Sequence, residues 1–210
     1  LKVRDIIQKE YKKAGIDPSK IDTGAVIITG ETARKENAEE VLTTLSGLAG
    51  DFVVATAGPD LESIISGKGA GAHTYSKDHN TSVVNMDIGG GTSNLAVFLR
   101  GEVRETGCLD VGGRLIKVDS TTHQITYIAP KLETLIRENN MGLAIGTKAT
   151  RENLKPIIDK MVQALEQSVG IKKQDDLLKL IITNKNIELN VHIECISFSG
   201  GVADYVYYEG

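Results

Sequence analysis

Residues 83–94 read Val-Val-Asn-Met-Asp-Ile-Gly-Gly-Gly-Thr-Ser-Asn: an apolar stretch, one carboxylate, three glycines and a hydroxyl. This order suits the chemistry of a phosphate chain. A strand over 83–88 would deliver Asp87 at its end, where a carboxylate can hold a hydrated Mg²⁺. Gly89, Gly90 and Gly91 lack Cβ, so the turn can lay its backbone N–H groups against oxygen atoms. Thr92 adds a hydroxyl donor, and a second strand over 95–99 carries the chain back to a turn at Arg100-Gly101. Glycine-rich hairpin turns are common by themselves. The complete unit of strand, Asp, three glycines, Thr and strand is far more specific, and it predicts a nucleotide phosphate loop.

Two further glycine clusters follow, Asp110-Val111-Gly112-Gly113 and Phe198-Ser199-Gly200-Gly201-Val202-Ala203. Gly200 and Gly201 stand between a predicted strand and a predicted helix, where the backbone can pass close to a ligand and a helix N-terminus favours anions. For Gly112 and Gly113 two readings stand level: approach to a ligand, or the start of the hairpin that follows. Arg114 either places a cation near phosphate or adenine or caps a turn. Asp60 and Glu62 read as a solvated helix N-terminus whose acids match the macrodipole. Glu31 and Thr32 follow a predicted parallel strand, at the edge where ligands bind, and helix capping explains them equally well. Gly67-Lys68-Gly69 is not a Walker motif, because no Ser or Thr follows Lys68 and no strand precedes it. His192-Ile193-Glu194-Cys195 lacks the Pro-Cys-x-x-Cys of a zinc deaminase, and His73, His79 and His123 are scattered.

Strands and helices must aim these turns. Val3, Ile6, Ile7 and Tyr11 recur at helical spacing, and Gly15 closes the run. Residues 25–29 and 52–55 read as strands, with a helical stripe of Ala38, Val41, Leu42, Leu45 and Leu48 between them. Pro59 can begin a helix running to about residue 66. That alternation predicts an α/β fold with parallel strands. From Val83 the pattern becomes consecutive strands at 83–88, 94–99 and 102–108, then a hairpin over 115–119 and 124–129. Helices are expected at 130–139, at 151–168 between Thr150 and Gly170, and at 174–182, before a last strand at 193–198 and a helix from Val202. The change of texture at Asp78-His79-Asn80 predicts a boundary near 78–82, dividing the chain into 1–80 and 81–210.

With 210 residues, 40% apolar and 25% charged, the chain can bury a sizeable core. A net charge of −4 without a Lys/Arg run argues against a nucleic-acid partner. No run approaches the roughly 18 apolar residues of a membrane span, so no membrane partner is expected. Cys108 and Cys195 share no metal-like spacing and read as buried free thiols of a reducing cytoplasm. Leu1 already lies inside a helical pattern, so the chain is expected to be a piece of something longer.

Taken in order, the three clusters resemble the actin-like ATPase superfamily of actin, sugar kinases and DnaK-type chaperones. The first cluster is similar to its second phosphate loop and the last to its adenosine motif. Residues 59–67 with Gly69-Ala70-Gly71-Ala72 resemble its interdomain connecting helix. Three segments resemble more narrowly the ethanolamine ammonia-lyase reactivating factor family, of EutA type: Thr23-Gly24-Ala25-Val26-Ile27-Ile28-Thr29-Gly30-Glu31-Thr32-Ala33-Arg34-Lys35-Glu36-Asn37, Ile65-Ser66-Gly67-Lys68-Gly69-Ala70-Gly71-Ala72, and Phe198-Ser199-Gly200-Gly201-Val202-Ala203-Asp204-Tyr205-Val206-Tyr207.

The resemblance implies a ribonuclease H-like, actin-like α/β fold with a truncated first lobe and a second lobe. It implies ATP or ADP and Mg²⁺ as cofactors. Asp87 would hold the metal, Gly89, Gly90, Gly91 and Thr92 the β- and γ-phosphates, with Gly112 and Gly113 nearby, while Gly200, Gly201 and Val202 would face the adenosine. The family is an ATP-dependent chaperone that exchanges damaged cobalamin for adenosylcobalamin, so ethanolamine ammonia-lyase is the implied partner. The implied location is the cytoplasm, with a bacterial microcompartment as an associated site; the oligomeric state is left open. The family's first phosphate loop has no match before Leu1, which implies an internal fragment that binds Mg-nucleotide weakly and hydrolyses it negligibly alone. DnaK-type proteins carry an acidic residue where Arg114 stands and a Glu where Gly58 precedes Pro59. The alternatives on the same fold are a sugar or small-acid kinase, for which no substrate base is evident, and an actin-like or cell-division structural ATPase.

Overall fold

Helix α1 (Lys2–Ala14) ends where Gly15 takes φ +69° and the Ile16 N–H donates to the Tyr11 carbonyl at 2.9 Å, the left-handed cap expected of that glycine. The computed structural model describes residues 2–28, 51–56 and 58–208. A short 3-10 turn (Pro18–Lys20) capped by the Asp17 carboxylate leads to β1 (Thr23–Ile28), which pairs in parallel with β2 (Asp51–Thr56). Parallel neighbours need a long crossover. The helical stripe predicted between them, with Glu31 and Thr32, lies outside the described residues. These elements belong to one compact unit, Leu1–Gly58.

The other unit, Pro59–Gly210, opens with helices α2 (Pro59–Gly69) and α3 (Ala72–Asp78). An antiparallel meander follows: β3 (Ser82–Ile88), β4 (Ser93–Leu99) and β5 (Glu102–Leu109). A small hairpin of β6 (Ile116–Val118) and β7 (Ile125–Ile128) precedes α4 (Pro130–Glu138), α5 (Arg151–Ser168) and α6 (Asp176–Ile181). Then β8 (Cys195–Ser199) returns to lie parallel beside β3, and a single helical turn, α7 (Ala203–Tyr207), follows. The sheet order is β5-β4-β3-β8. This is the α/β, ribonuclease H-like arrangement expected from the sequence: three consecutive antiparallel strands, then a parallel strand reached through helices.

Strand alternation sorts the side chains to two faces. Val84, Met86, Leu95, Val97 and Leu109 bury against Ala164, Leu178 and Ile181 of α5 and α6. Val83, Ala96 and Phe98 bury on the opposite face with Ala72 of α3. Gly67 is needed for that second contact, because a Cβ there would lie 2.5 Å from Phe98 Cε2. Gly67-Lys68-Gly69 is therefore a place where helix and sheet come close, and not a nucleotide loop. Helix α2 lies across β3, β4 and β5, and the compact units meet at Gly58–Pro59. A second core of Leu115, Ile125, Ile128, Leu132, Leu135 and Ile157 holds the β6–β7 hairpin to α4 and α5. Cys108 is buried as expected, while Cys195 is only half-buried.

Candidate phosphate site

Between β3 and β4 the chain turns through Gly89, Gly90, Gly91 and Thr92, closed by the Gly89 N–H donating to the Thr92 carbonyl at 2.9 Å. The N–H groups of Gly90, Gly91 and Thr92 donate to no acceptor among the described residues. Three consecutive amides of one turn are thus available to an anion.

The second cluster docks on this turn. Gly113 N–H donates to the Gly89 carbonyl at 2.9 Å and Arg114 N–H to the Gly90 carbonyl at 2.7 Å. A Cβ on Gly112 would come within 2.6 Å of the Gly90 carbonyl oxygen and 2.8 Å of Gly91 N, so no other residue fits without moving the loop. The third cluster closes from β8. Gly200 has φ +83°, and a Cβ there would lie 2.5 Å from the Ile88 carbonyl oxygen and 2.6 Å from Asp87 Oδ1. Val202 N–H donates to the Ile88 carbonyl at 3.3 Å, and its Cγ2 lies 3.0 Å from where a Gly113 Cβ would be. Gly201, between them, has nothing within 4 Å of its Cβ position. The structure therefore brings the three clusters to one end of the sheet, beyond β3 and β8. Because α7 has only five residues, its dipole is slight, and close backbone approach replaces the helix N-terminus expected here.

Asp87 stands half-buried next to these turns and is held by polar groups that the sequence reading did not single out. Ser199 Oγ accepts from Asn85 Nδ2 at 2.9 Å and donates to Asp87 Oδ1 at 3.2 Å, and Ser197 Oγ donates to Asn85 Oδ1 at 2.9 Å. The parallel register places Asn85 opposite Ser197 and Asp87 opposite Ser199. The available signal was period two: Asn85 and Asp87, Ser197 and Ser199 are polar alternates in otherwise apolar strands. Asn94 faces Asp87 across the β3–β4 pair, is buried, and its Oδ1 has no partner among the described residues. A carboxylate with an orphaned buried acceptor beside it and free amides one turn away fits a hydrated Mg²⁺ carrying phosphate oxygens.

Other candidate residues have structural partners. Asp60 is not simply solvated: it accepts from the Thr106 hydroxyl at 2.6 Å and pairs with Lys185 at 3.0 Å. The Thr106 hydrogen bond, with help from the Lys185 ammonium, lowers its pKa from the ordinary 3.8. Glu194 accepts from the Thr81 hydroxyl and from Ser82 N–H, and the Thr81 bond lowers its pKa. The His192 carbonyl accepts from Ser82 Oγ at 2.5 Å, so the His192–Glu194 stretch clasps β8 to the start of β3.

Across residues 1–210 the chain matches the family model described as ethanolamine utilisation protein EutA. The chain belongs to that family. It is 38% identical over 203 residues to the ethanolamine ammonia-lyase reactivase EutA of Escherichia coli strain K12, covering 96% of this chain and 43% of that protein. To the reactivase of the same description from Salmonella typhimurium strain LT2 it is 35% identical over 207 residues, 97% of this chain and 43% of the relative. The chain thus spans less than half the length of these family members. Among solved structures it is similar to MreB5 of Spiroplasma citri bound to AMPPNP, with TM-score 0.47 and 14% identity over 95% of this chain and 63% of that one.

Proposed function

We propose that the chain carries the second phosphate loop and the adenosine-facing turn of an ATP-dependent reactivating factor for ethanolamine ammonia-lyase. The observation that carries this reading is the row of three available amides, Gly90, Gly91 and Thr92, set beside Asp87 and locked in place by two other glycine turns. Membership of the EutA family supplies the biological direction.

In this reading the amides and the Thr92 hydroxyl bind β- and γ-phosphate oxygens. Asp87, oriented by Ser199 and Asn85, would hold the waters and metal of Mg-nucleotide, while Gly200, Gly201 and Val202 would border the adenosine. Bound Mg²⁺ would neutralise phosphate charge. Hydrolysis then needs positioned groups and little covalent chemistry from the protein. Nucleotide state must change the grip on the lyase, since a partner held equally in both states cannot be remodelled. A cytoplasmic setting, with association to a bacterial microcompartment, belongs to the same proposal.

The test adds the full-length protein, ATP and Mg²⁺ to ethanolamine ammonia-lyase inactivated with cyanocobalamin, and then supplies adenosylcobalamin. Recovery of deaminase activity that requires ATP is expected. No recovery, together with phosphorylation of a small metabolite, would overturn the reading in favour of a kinase.

A further inference from the structure

Arg114 follows Gly112 and Gly113 directly, and its side chain lies along the phosphate turn. Its backbone N–H is tied to the Gly90 carbonyl at 2.7 Å. Its Cδ lies 3.4 Å, and its Cβ and Cγ 3.7 Å, from the point that a Cβ on Gly90 would occupy. The aliphatic stem therefore rests on Gly90, the first of the three residues whose amides are available, and the guanidinium begins one bond farther on. The side chain is exposed and forms no ion pair with any described residue.

Two other cations of the same unit are already engaged. Lys131 pairs with Asp110 at 2.5 Å and donates to the Ile182 carbonyl at 2.7 Å, and Lys185 pairs with Asp60. A Mg-nucleotide beside the Asp87 carboxylate still carries excess negative charge, which three neutral amides answer only in part. A guanidinium suits that task because it stays charged and its fork of donors matches phosphate oxygens. Resting the stem on a glycine fixes the head near the phosphates without burying the charge.

We propose that Arg114 is a ligand-contacting residue of this site: it binds the phosphate chain of a nucleoside di- or triphosphate and discriminates phosphorylated from unphosphorylated nucleoside. This rests on the nucleotide reading above and adds to it a named cation that the turn itself lacks.

The experiment measures binding of Mg-ATP, Mg-ADP and adenosine to full-length wild type, Arg114→Ala and Arg114→Lys by calorimetry at several salt concentrations, with thermal midpoints as a fold check. The proposal expects Arg114→Ala to weaken ATP and ADP by about 10- to 100-fold, as for loss of a charge-assisted hydrogen bond. Adenosine affinity and the thermal midpoint should stay at wild-type values, and the salt dependence of ATP affinity should flatten. Arg114→Lys should recover part of the loss. Equal weakening of adenosine and ATP with a lowered midpoint would overturn the proposal and leave Arg114 a packing residue of the turn. If wild type binds ATP and Arg114→Ala binds it as tightly, the arginine proposal alone falls. If wild type binds neither ATP nor ADP, the nucleotide reading falls and the arginine proposal with it.

Discussion

Ser199 Oγ donates a hydrogen bond of 3.2 Å to Asp87 Oδ1 from a residue 112 positions away. The same hydroxyl accepts from buried Asn85, so one serine sets the carboxylate and satisfies the amide beneath it. Parallel pairing of β3 with β8 is what places the two opposite each other.

The first prediction concerns that pair. In the full-length protein Asp87→Asn should keep the fold, since an amide oxygen can still accept from Ser199, and should lower ATPase turnover by about 10²–10³-fold, the usual loss for one placed charge-stabilising group. Ser199→Ala should instead lower stability by about 1–3 kcal/mol by leaving the Asn85 donor unpaired. Steady-state turnover and urea unfolding separate the two effects. Full activity of a folded Asp87→Asn protein would remove Asp87 from the site.

Gly200→Ala and Gly112→Ala should both damage the site through the backbone. A non-glycine residue at the φ of Gly200 costs about 1–3 kcal/mol before any clash is counted, and its Cβ would press on Ile88 O and Asp87 Oδ1. At Gly112 the clash is with the Gly90 backbone itself, so the Gly89–Thr92 turn must move. Urea midpoints should fall for both, and nucleotide affinity should fall with them. Wild-type affinity in Gly112→Ala would show that the two turns are not interlocked.

A control lies in α2, away from these turns. Gly67→Ala should destabilise by about 1–3 kcal/mol through overpacking on Phe98. Gly69→Ala, with nothing within 4 Å of its Cβ position, should be neutral or slightly stabilising. Thermal unfolding of the pair checks this, and equal midpoints would mean that α2 does not approach the sheet so closely.

Acid should expose the Asp60 clasp. The Thr106 hydroxyl foremost, with Lys185, holds the folded-state pKa below the ordinary 3.8. The stability contribution is therefore complete at pH values above 3.8 and is lost as pH falls through the lower folded-state value. Urea midpoints of wild type and Asp60→Asn should differ by a constant, small amount from neutral pH down to about pH 4, because an exposed pair contributes little. Below that the gap should close. A gap that widens on acidification would mean that the carboxylate is not held in its ionised form.

The glycine turn after β3, the two glycine turns that meet it and most elements around them are legible in the sequence because backbone geometry demands glycine there, which local sequence records. Gly112 and Gly113 could not be assigned from sequence, since the start of a hairpin demands the same residues; only the contact with Gly90 places them beside the turn. The support of Asp87 was not read either. Asn85 and Ser199 are adjacent only after a long crossover, so their polar alternation marks each strand separately but not their meeting. The polar stretch at Asp78-His79-Asn80 looks like a linker in sequence, whereas in the fold it is the end of α3, where His79 stacks on Tyr75 at 4.0 Å.

The separation between Asp87 and Ser199 also dictates an order of events while the chain folds. The β3–β4–β5 meander joins neighbours in sequence and can form early, whereas β8 must close a loop of more than a hundred residues before it pairs with β3. The Asp87 carboxylate is then the last part of the site to be fixed. A nucleotide that binds only the finished arrangement, as proposed above, would slow unfolding far more than it speeds folding, and stopped-flow unfolding and refolding of the full-length protein with and without Mg-ATP would show that asymmetry directly.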